Sequence, residues 1–106
     1  MKAMISQPMA GKTDEEITKT REKAADHLRN SGYEVVNTLD SYGWLHSDDL
    51  FKRRIKHGPL YFLTKSLEAM SQCDAVYFCK GWDTARGCRI EHEAARAYGL
   101  EIIYEE

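Results

Sequence analysis

The last third of the chain, DAVYFCKGWDTARGCRIEHEAARAYGLEIIYEE from Asp74 to Glu106, decides the fold. Its first seven residues, Asp74–Lys80, are almost continuously apolar, which is typical of a strand buried on both faces of a sheet. After the Gly81–Gly87 loop, the spacing of the apolar residues predicts a helix that ends at Gly99. Glu101–Tyr104 predicts the last strand. A strand, a loop, a helix and a strand in this order form a unit of a Rossmann-like α/β domain.

The residues before this unit predict two further strands, each followed by a helix. Met1–Ser6 and Tyr33–Asn37 have the length and apolar content of short strands. Between them, Thr13–Glu16 (TDEE) has the pattern of a capping box and marks the start of the first helix. Pro59–Gln72 predicts the second helix, because proline suits a first turn and leucines recur along the segment.

Alternating strands and helices predict right-handed crossovers and a mainly parallel sheet. We expect a flavodoxin-like three-layer sandwich over residues 1–106, a single domain with four strands in the order 2-1-3-4. In such a sheet, ligands bind beyond the carboxyl ends of strands one and three, where the strand order reverses. The Gln7–Thr13 and Gly81–Gly87 loops follow these two strands. The sequence therefore predicts that both loops face one cleft.

The composition describes an ordinary globular protein of 106 residues, with 42% hydrophobic and 30% charged residues. A net charge of -2 gives no overall positive field to attract nucleic acid. The apolar runs are too short to span a bilayer and the N-terminus lacks a signal-peptide layout, so we expect a cytoplasmic protein without membrane contact. Cys73, Cys79 and Cys88 lack metal-type spacing and are expected to be reduced thiols packed as small hydrophobes. We expect no metal and no cofactor.

The first loop carries a weak signal for anion binding. Gly11-Lys12-Thr13 resembles the end of a phosphate-binding P-loop, but Ser6 stands where that motif requires its first glycine. Exposed amides at a helix N-terminus with Lys12 nearby would still suit a phosphate. An ordinary capped helix start explains the same residues equally well.

The second loop and the helix after it carry the stronger signal. Gly81 and Gly87 allow tight turns and close approach of a ligand, and Trp82 offers a flat face for a base or a sugar. Glu91 is predicted in the first turn or so of the helix, where the macrodipole favours a carboxylate and helps to keep it ionised. Such a carboxylate can attack an anomeric carbon. The alternative is an acidic residue that serves the helix dipole alone. Glu93 is predicted on a different, solvated face.

Two separated segments resemble a family of small bacterial and phage proteins of unassigned function. Met4–Gly11 (MISQPMAG) is similar to the opening signature of this family. Cys73–Phe78 (CDAVYF), Gly81–Asp83 (GWD) and Arg86–Gly99 (RGCRIEHEAARAYG) are similar to its second signature. The family sits within the nucleoside 2-deoxyribosyltransferase-like superfamily.

The resemblance implies a nucleophile. In the transferases a glycine-containing loop leads into a helix with a nucleophilic glutamate, an alanine one turn later and a glycine at the helix end. Gly87, Glu91, Ala95 and Gly99 hold this spacing. The resemblance therefore implies that Glu91 acts on the N-glycosidic bond of a nucleoside or a nucleoside 5′-monophosphate, with water or another base as acceptor.

The resemblance also implies a ligand-binding set, which lines the sugar or 5′-phosphate region: Ser6, Gln7, Pro8, Met9, Gly11, Lys12, Arg86, Gly87 and Arg89. Two further roles are our own interpretation of the second loop. Asp83 is a candidate acid that protonates the leaving base, and Trp82 is a candidate platform that stacks on it.

Two positions depart from the enzymes of the superfamily. Met4 stands where they carry a tyrosine, and Lys65 stands approximately where they carry an aspartate. A catalytically inactive nucleotide-binding or sensing module is therefore one alternative. A partner-binding protein of phage or mobile-element origin, which uses the aromatic Tyr42–Phe51 stretch as its contact surface, is another.

Thr38–Gly58 is the least regular part of the sequence, with a weak helical pattern at Asp48–Lys56. The adjacent Pro59–Gln72 helix is apolar on more than one side, which favours a homo-oligomer, a dimer or higher. Oligomers are also common in the superfamily. Burial of this helix beneath Thr38–Gly58 is the alternative.

Overall fold

The computed structural model describes residues 1–36 and 54–106. Its sheet has four strands that all run parallel, in the order β2-β1-β3-β4. This confirms the predicted topology. The strands are β1 (Lys2–Ser6), β2 (Glu34–Val36), β3 (Ala75–Phe78) and β4 (Glu101–Tyr104). Each lies within its predicted range, and the last matches it in full.

Three α-helices connect the strands within the described ranges. They are α1 (Asp14–Asn30), α2 (Gly58–Met70) and α3 (Arg86–Ala97). The predicted capping box forms at the start of α1, and proline stands in the first turn of α2. A short 3₁₀ turn, Trp82–Thr84, lies in the loop before α3 and was not predicted.

The central strand β3 is buried on both faces, as its continuous apolarity predicted. On one face, Ala75 and Tyr77 pack with Leu28 and its neighbours on α1. On the other face, Val76 and Phe78 pack with side chains of α2 and α3. The molecule therefore has three layers, with α1 on one side of the sheet and α2 and α3 on the other. Burying side chains such as Leu28 and Phe78 contributes about 1.5 to 3 kcal/mol each.

The strand register brings the ends of the two central strands together. Ser6, the last residue of β1, pairs with Phe78, the last residue of β3. Beyond this pair, the Cys79 amide donates to the Ser6 carbonyl at 3.0 Å. The loops after β1 and β3 therefore leave the sheet side by side.

The irregular segment falls mostly outside the described residues. Residues 48–53 of the predicted helix at Asp48–Lys56 lie outside them. The whole of the predicted Tyr42–Phe51 contact surface also lies outside them. In the ranges 1–36 and 54–106, none of the helices has the length and apolar character needed to cross a membrane.

Candidate functional site

The loops after β1 and β3 both line one cleft at the end of the sheet. Gly81 has a φ of 89°, a left-handed conformation that favours glycine. A Cβ atom added at Gly81 would lie 3.6 Å from Cγ of Pro8 in the first loop. The two loops therefore approach each other closely at the end of the sheet, and glycine leaves the space between them open.

The first loop ends in a helix start whose amides are already used. Thr13 Oγ1 accepts from the Glu16 amide at 3.1 Å, and Glu16 Oε1 accepts from the Thr13 amide at 3.5 Å. Asp14 and Glu15 add two more exposed acids to the first turn. Gly11 and Lys12 are exposed beside these acids. Because negative side chains stabilise this N-terminus and repel an anion, the ordinary capped start is the better description of the loop end.

A cleft of about 590 Å³ opens beyond the ends of β1 and β3. We call it the Glu91 cleft. Its walls are Gln7–Ala10 of the first loop, Phe62, Leu63 and Ser66 of α2, and Thr84–Cys88 at the start of α3. Among the described residues that line it, Glu91 provides the one carboxyl group.

Glu91 is 6% exposed, and it is the only buried carboxyl in the described part of the chain. Burial raises the pKa of this carboxyl to about 7, and the nearby Ser6 hydroxyl lowers it by a smaller amount. Glu91 lies beyond the first turn of α3, which begins at Arg86 and has no acid in that turn. Burial, and not the helix dipole, therefore decides its protonation. Near neutral pH the carboxyl exchanges readily between its acid and base forms.

Two buried polar atoms at the end of β1, Ser6 Oγ and Gln7 Oε1, form no hydrogen bond of ordinary geometry with the described residues. Ser6 is 1% exposed, and its Oγ forms no hydrogen bond of ordinary geometry. Gln7 donates through Nε2 to the Ile17 carbonyl at 2.6 Å, but its Oε1 is buried and unpaired. Buried polar atoms are normally satisfied. An unpaired hydroxyl and an unpaired carbonyl near a cleft are what a polar ligand would complete.

The two departures from the superfamily enzymes lie in different surroundings. Met4 is fully buried in the core, packed with Val76 and Phe78. Lys65 lies on α2, where its Nζ is 3.6 Å from the Glu68 carboxylate and 5.7 Å from the centre of the Tyr61 ring. Neither lines the Glu91 cleft.

Trp82, Asp83 and Arg89 line a different hollow. This Trp82 groove has a volume of about 710 Å³ and also contacts His92 and Glu93. None of these residues lines the Glu91 cleft, whereas Arg86 borders both hollows. The structure therefore brings Glu91 together with Gln7, Pro8, Met9, Arg86 and Gly87, but it separates the proposed acid Asp83 from them.

The indole of Trp82 already has a stacking partner within the chain. Its ring lies parallel to the His92 ring, with 4.0 Å between centroids and 20° between planes. His92 Nε2 is 2.7 Å from the Tyr104 hydroxyl, and Phe78 packs edge-on against the His92 ring. This aromatic cluster joins the 3₁₀ turn to α3 and β4. Glu93 is exposed on the same helix, as predicted.

Sequence reasoning missed a second chamber beside the cleft. This Lys56 chamber has a volume of about 510 Å³ and lies at the start of α2, with Lys56, His57 and Arg86 around it. It shares Pro59, Leu63, Arg86 and Gly87 with the Glu91 cleft. The signal available in the sequence was the concentration of basic residues directly before Gly58.

The cysteines and the other acids suggest no metal centre. Cys73, Cys79 and Cys88 are free thiols, the last two of them buried, and burial raises the pKa of each. In the described ranges, no group of three or more His, Cys, Asp or Glu residues is arranged to hold a metal ion.

The chain belongs to a domain family of unknown function, DUF4406, whose model matches residues 1–104. The match covers both loops of the site and the segment between α1 and α2. Neither a curated protein nor a solved structure matches the chain significantly.

Proposed function

We propose that the chain binds a nucleoside or a nucleoside 5′-monophosphate in the Glu91 cleft and breaks its N-glycosidic bond, with Glu91 as the nucleophile. The observation that carries this proposal is the buried carboxyl of Glu91 beside the ends of β1 and β3. Open parallel sheets bind ligands at this point. The resemblance to the nucleoside 2-deoxyribosyltransferase-like superfamily supports the same role for Glu91.

The proposed chemistry proceeds in two balanced steps. A carboxylate oxygen of Glu91 bonds to C1′ of the sugar while the bond from C1′ to the base nitrogen breaks, and the bonding electrons leave with the base, which takes up a proton. Water then attacks C1′, the ester bond breaks, and free sugar, a proton and the carboxylate result. If another base attacks in place of water, the outcome is transfer.

Glu91 must be ionised to attack, so its raised pKa sets a condition on the reaction. With a pKa of about 7, a large share of the carboxyl is protonated at neutral pH. The Ser6 hydroxyl favours the ionised form, because it lowers the pKa of Glu91 and so partly offsets the effect of burial. We expect kcat/KM to increase as the pH rises through 7, because the ionised fraction increases.

The test is incubation with a panel of nucleosides and nucleoside 5′-monophosphates, with free base measured by chromatography. We expect base release by the natural protein and none by Glu91→Gln. Glu93→Gln is the matched control, because Glu93 is an exposed acid two residues further along the same helix. Unchanged release by Glu91→Gln would reject the nucleophile.

A second candidate function is nucleotide binding without chemistry. The observation that favours it is the lack of a second carboxyl among the described residues of the cleft, since Asp83 lies at the Trp82 groove. Without an acid to protonate the leaving base, bond cleavage is slow. This candidate predicts a thermal shift with nucleotides and no base release on long incubation. Base release that depends on Glu91 would exclude it.

The homo-oligomer remains a prediction. Leu60 on α2 and Ile90 on α3 are 58% and 43% exposed and both border the Lys56 chamber. Exposed aliphatic side chains next to a site suit a contact between copies. Sedimentation velocity over a range of concentrations would measure the assembly state.

A further inference from the structure

We infer that the substrate carries a phosphate group and that the Lys56 chamber holds this phosphate beside the Glu91 cleft. The inference extends the proposed function, because it selects nucleotides over nucleosides as the substrate class. It assigns the phosphate to the start of α2, in place of the Gly11–Lys12 loop end suggested by the sequence.

Three basic side chains surround the chamber. Lys56 and His57 come from the segment before α2, and Arg86 comes from the first residue of α3. The described residues that line the chamber include no acid. Within the described ranges, the three basic side chains form no hydrogen bond and no ion pair. Basic groups gathered without a counter-charge attract an anion, and phosphate is the anion of a nucleotide.

The charge around the chamber contrasts with that of the whole chain. The net charge of the chain is -2, yet residues 52–57 read KRRIKH. Lys56 and His57, the last two residues of this run, line the chamber. At the start of α1, by contrast, Lys12 is followed by Asp14, Glu15 and Glu16. A phosphate is therefore favoured at the start of α2 and repelled at the start of α1.

The chamber is also in the right place for a group attached to the reacting sugar. It shares the wall residue Gly87 with the Glu91 cleft, and a Cβ atom added at Gly87 would lie 4.0 Å from Oε1 of Glu91. Gly87 therefore lines the chamber and lies close to the Glu91 carboxyl. In a nucleotide, the sugar ring separates C1′ from the 5′-phosphate. A sugar placed over Gly87 thus directs C1′ towards Glu91 and its phosphate towards Lys56 and Arg86.

The test measures affinity apart from turnover. Deoxynucleosides and their 5′-monophosphates are titrated into Glu91→Gln protein by calorimetry, so that no bond is broken. We expect the monophosphate of each base to bind at least about tenfold more tightly than the nucleoside. We also expect inorganic phosphate to compete with the monophosphate in the natural protein. Equal affinity for nucleoside and monophosphate would overturn the inference.

Variants then locate the phosphate. In Lys56→Gln/His57→Gln, the preference for monophosphate should fall to within about threefold, with the affinity for the nucleoside unchanged. Lys23→Gln is the control for loss of a surface cation, since Lys23 is exposed on α1. A preference that survives in the double variant, or that disappears instead in Lys12→Gln, would place the phosphate elsewhere and overturn the assignment.

A salt series provides a measurement that needs no variant. The preference for monophosphate over nucleoside should shrink as sodium chloride is raised, because salt screens the contact between charges and leaves the nucleoside contacts. A preference independent of salt would contradict a cationic chamber.

The two proposals fail separately. If monophosphates bind preferentially through the chamber but no base is released, the phosphate inference stands and the reaction does not. If base is released from nucleosides and monophosphates with equal kcat/KM, the reaction stands and the phosphate inference is overturned.

Discussion

The helices that follow the two central strands begin in opposite ways. After β1, α1 starts with the Thr13 cap and has three acids in its first turn. After β3, α3 starts at Arg86 with Ala85 at the capping position, where no side chain accepts from the first amides. No acid lies in the first turn of α3, and its Glu91 lies one turn further on and is buried.

This comparison indicates that the start of α1 contributes to stability, whereas the start of α3 contributes to the candidate site. At α1, exposed acids and the hydroxyl of Thr13 satisfy the free amides and the helix dipole. At α3, the capping residue Ala85 and the first-turn residue Gly87 border the Glu91 cleft, and the free amides there remain available to a ligand. A buried acid costs stability, and such costs concentrate at functional sites. Four substitutions test this contrast, each with its expected change in the free energy of unfolding.

Glu91→Gln should produce the largest change and should stabilise the protein at high pH. The unfolded chain releases this proton near pH 4.5 and the folded protein holds it to about pH 7. The stability of the natural protein therefore falls as the pH rises through this interval. The difference in pKa corresponds to about 3 kcal/mol above pH 7, which a neutral amide avoids.

Urea unfolding near pH 4.5 and about pH 8 measures this effect, with Glu93→Gln as the exposed control. The gain for Glu91→Gln should be small at the lower pH, because the Glu91 carboxyl is then protonated in the folded protein and about half protonated in the unfolded chain. A gain of the same size at both pH values would show that charge is not its cause.

Thr13→Ala should produce the next largest change, with the opposite sign. It removes the acceptor for the Glu16 amide and breaks the capping box. We expect a loss of about 1 kcal/mol in urea unfolding. Nucleotide affinity should not change, because Thr13 does not line the Glu91 cleft. A drop in affinity larger than the loss of folded protein would show that the α1 start takes part in binding.

The start of α1 and the strand β3 also show which features of the fold could be predicted from the sequence. The capping box was predictable because its contacts lie three residues apart, and β3 was predictable because burial on both faces leaves a continuous apolar run. The alternation of strands and helices predicted a parallel sheet, and the flavodoxin-like arrangement of such sheets predicted the strand order. These features depend on local pattern and on rules that hold for all parallel sheets.

The site was predicted less completely because its contacts are distant in sequence. Register with Gly87 selected Glu91, but no local pattern indicates that its carboxyl is buried beside a cleft and has a raised pKa. The stacking of Trp82 on His92 depends on how the 3₁₀ turn packs against α3. Lys56 and His57 meet Arg86 only in the folded chain.

Ala85→Ser should give α3 the cap that it lacks. Ala85 has extended backbone angles, φ -97° and ψ 121°, which suit a capping serine. We expect a gain of about 0.5 kcal/mol, less than the loss at Thr13, because Cys88 stands where a reciprocal glutamate would be needed. Nucleotide affinity should fall, since the new hydroxyl competes for amides beside the cleft. Calorimetry on the same protein samples measures both the stability and the nucleotide affinity. A higher affinity would contradict the idea that the free amides contact the ligand.

Gly87→Ala should change stability least and binding most clearly. Gly87 is helical, and alanine in a first turn should add about 0.3 kcal/mol, less than in a helix interior. The new Cβ atom would meet Oε1 of Glu91 at 4.0 Å, an ordinary contact distance that strains nothing in the protein. It would, however, occupy the space through which a sugar reaches that oxygen. We expect at least about a tenfold loss of nucleotide affinity, because the methyl group fills space that the sugar needs.

Ala97→Gly, on the same helix away from the cleft, reports helix propensity alone and should leave affinity unchanged. If Gly87→Ala keeps full affinity, the ligand does not lie over Gly87, and the uncapped start of α3 does not bind it.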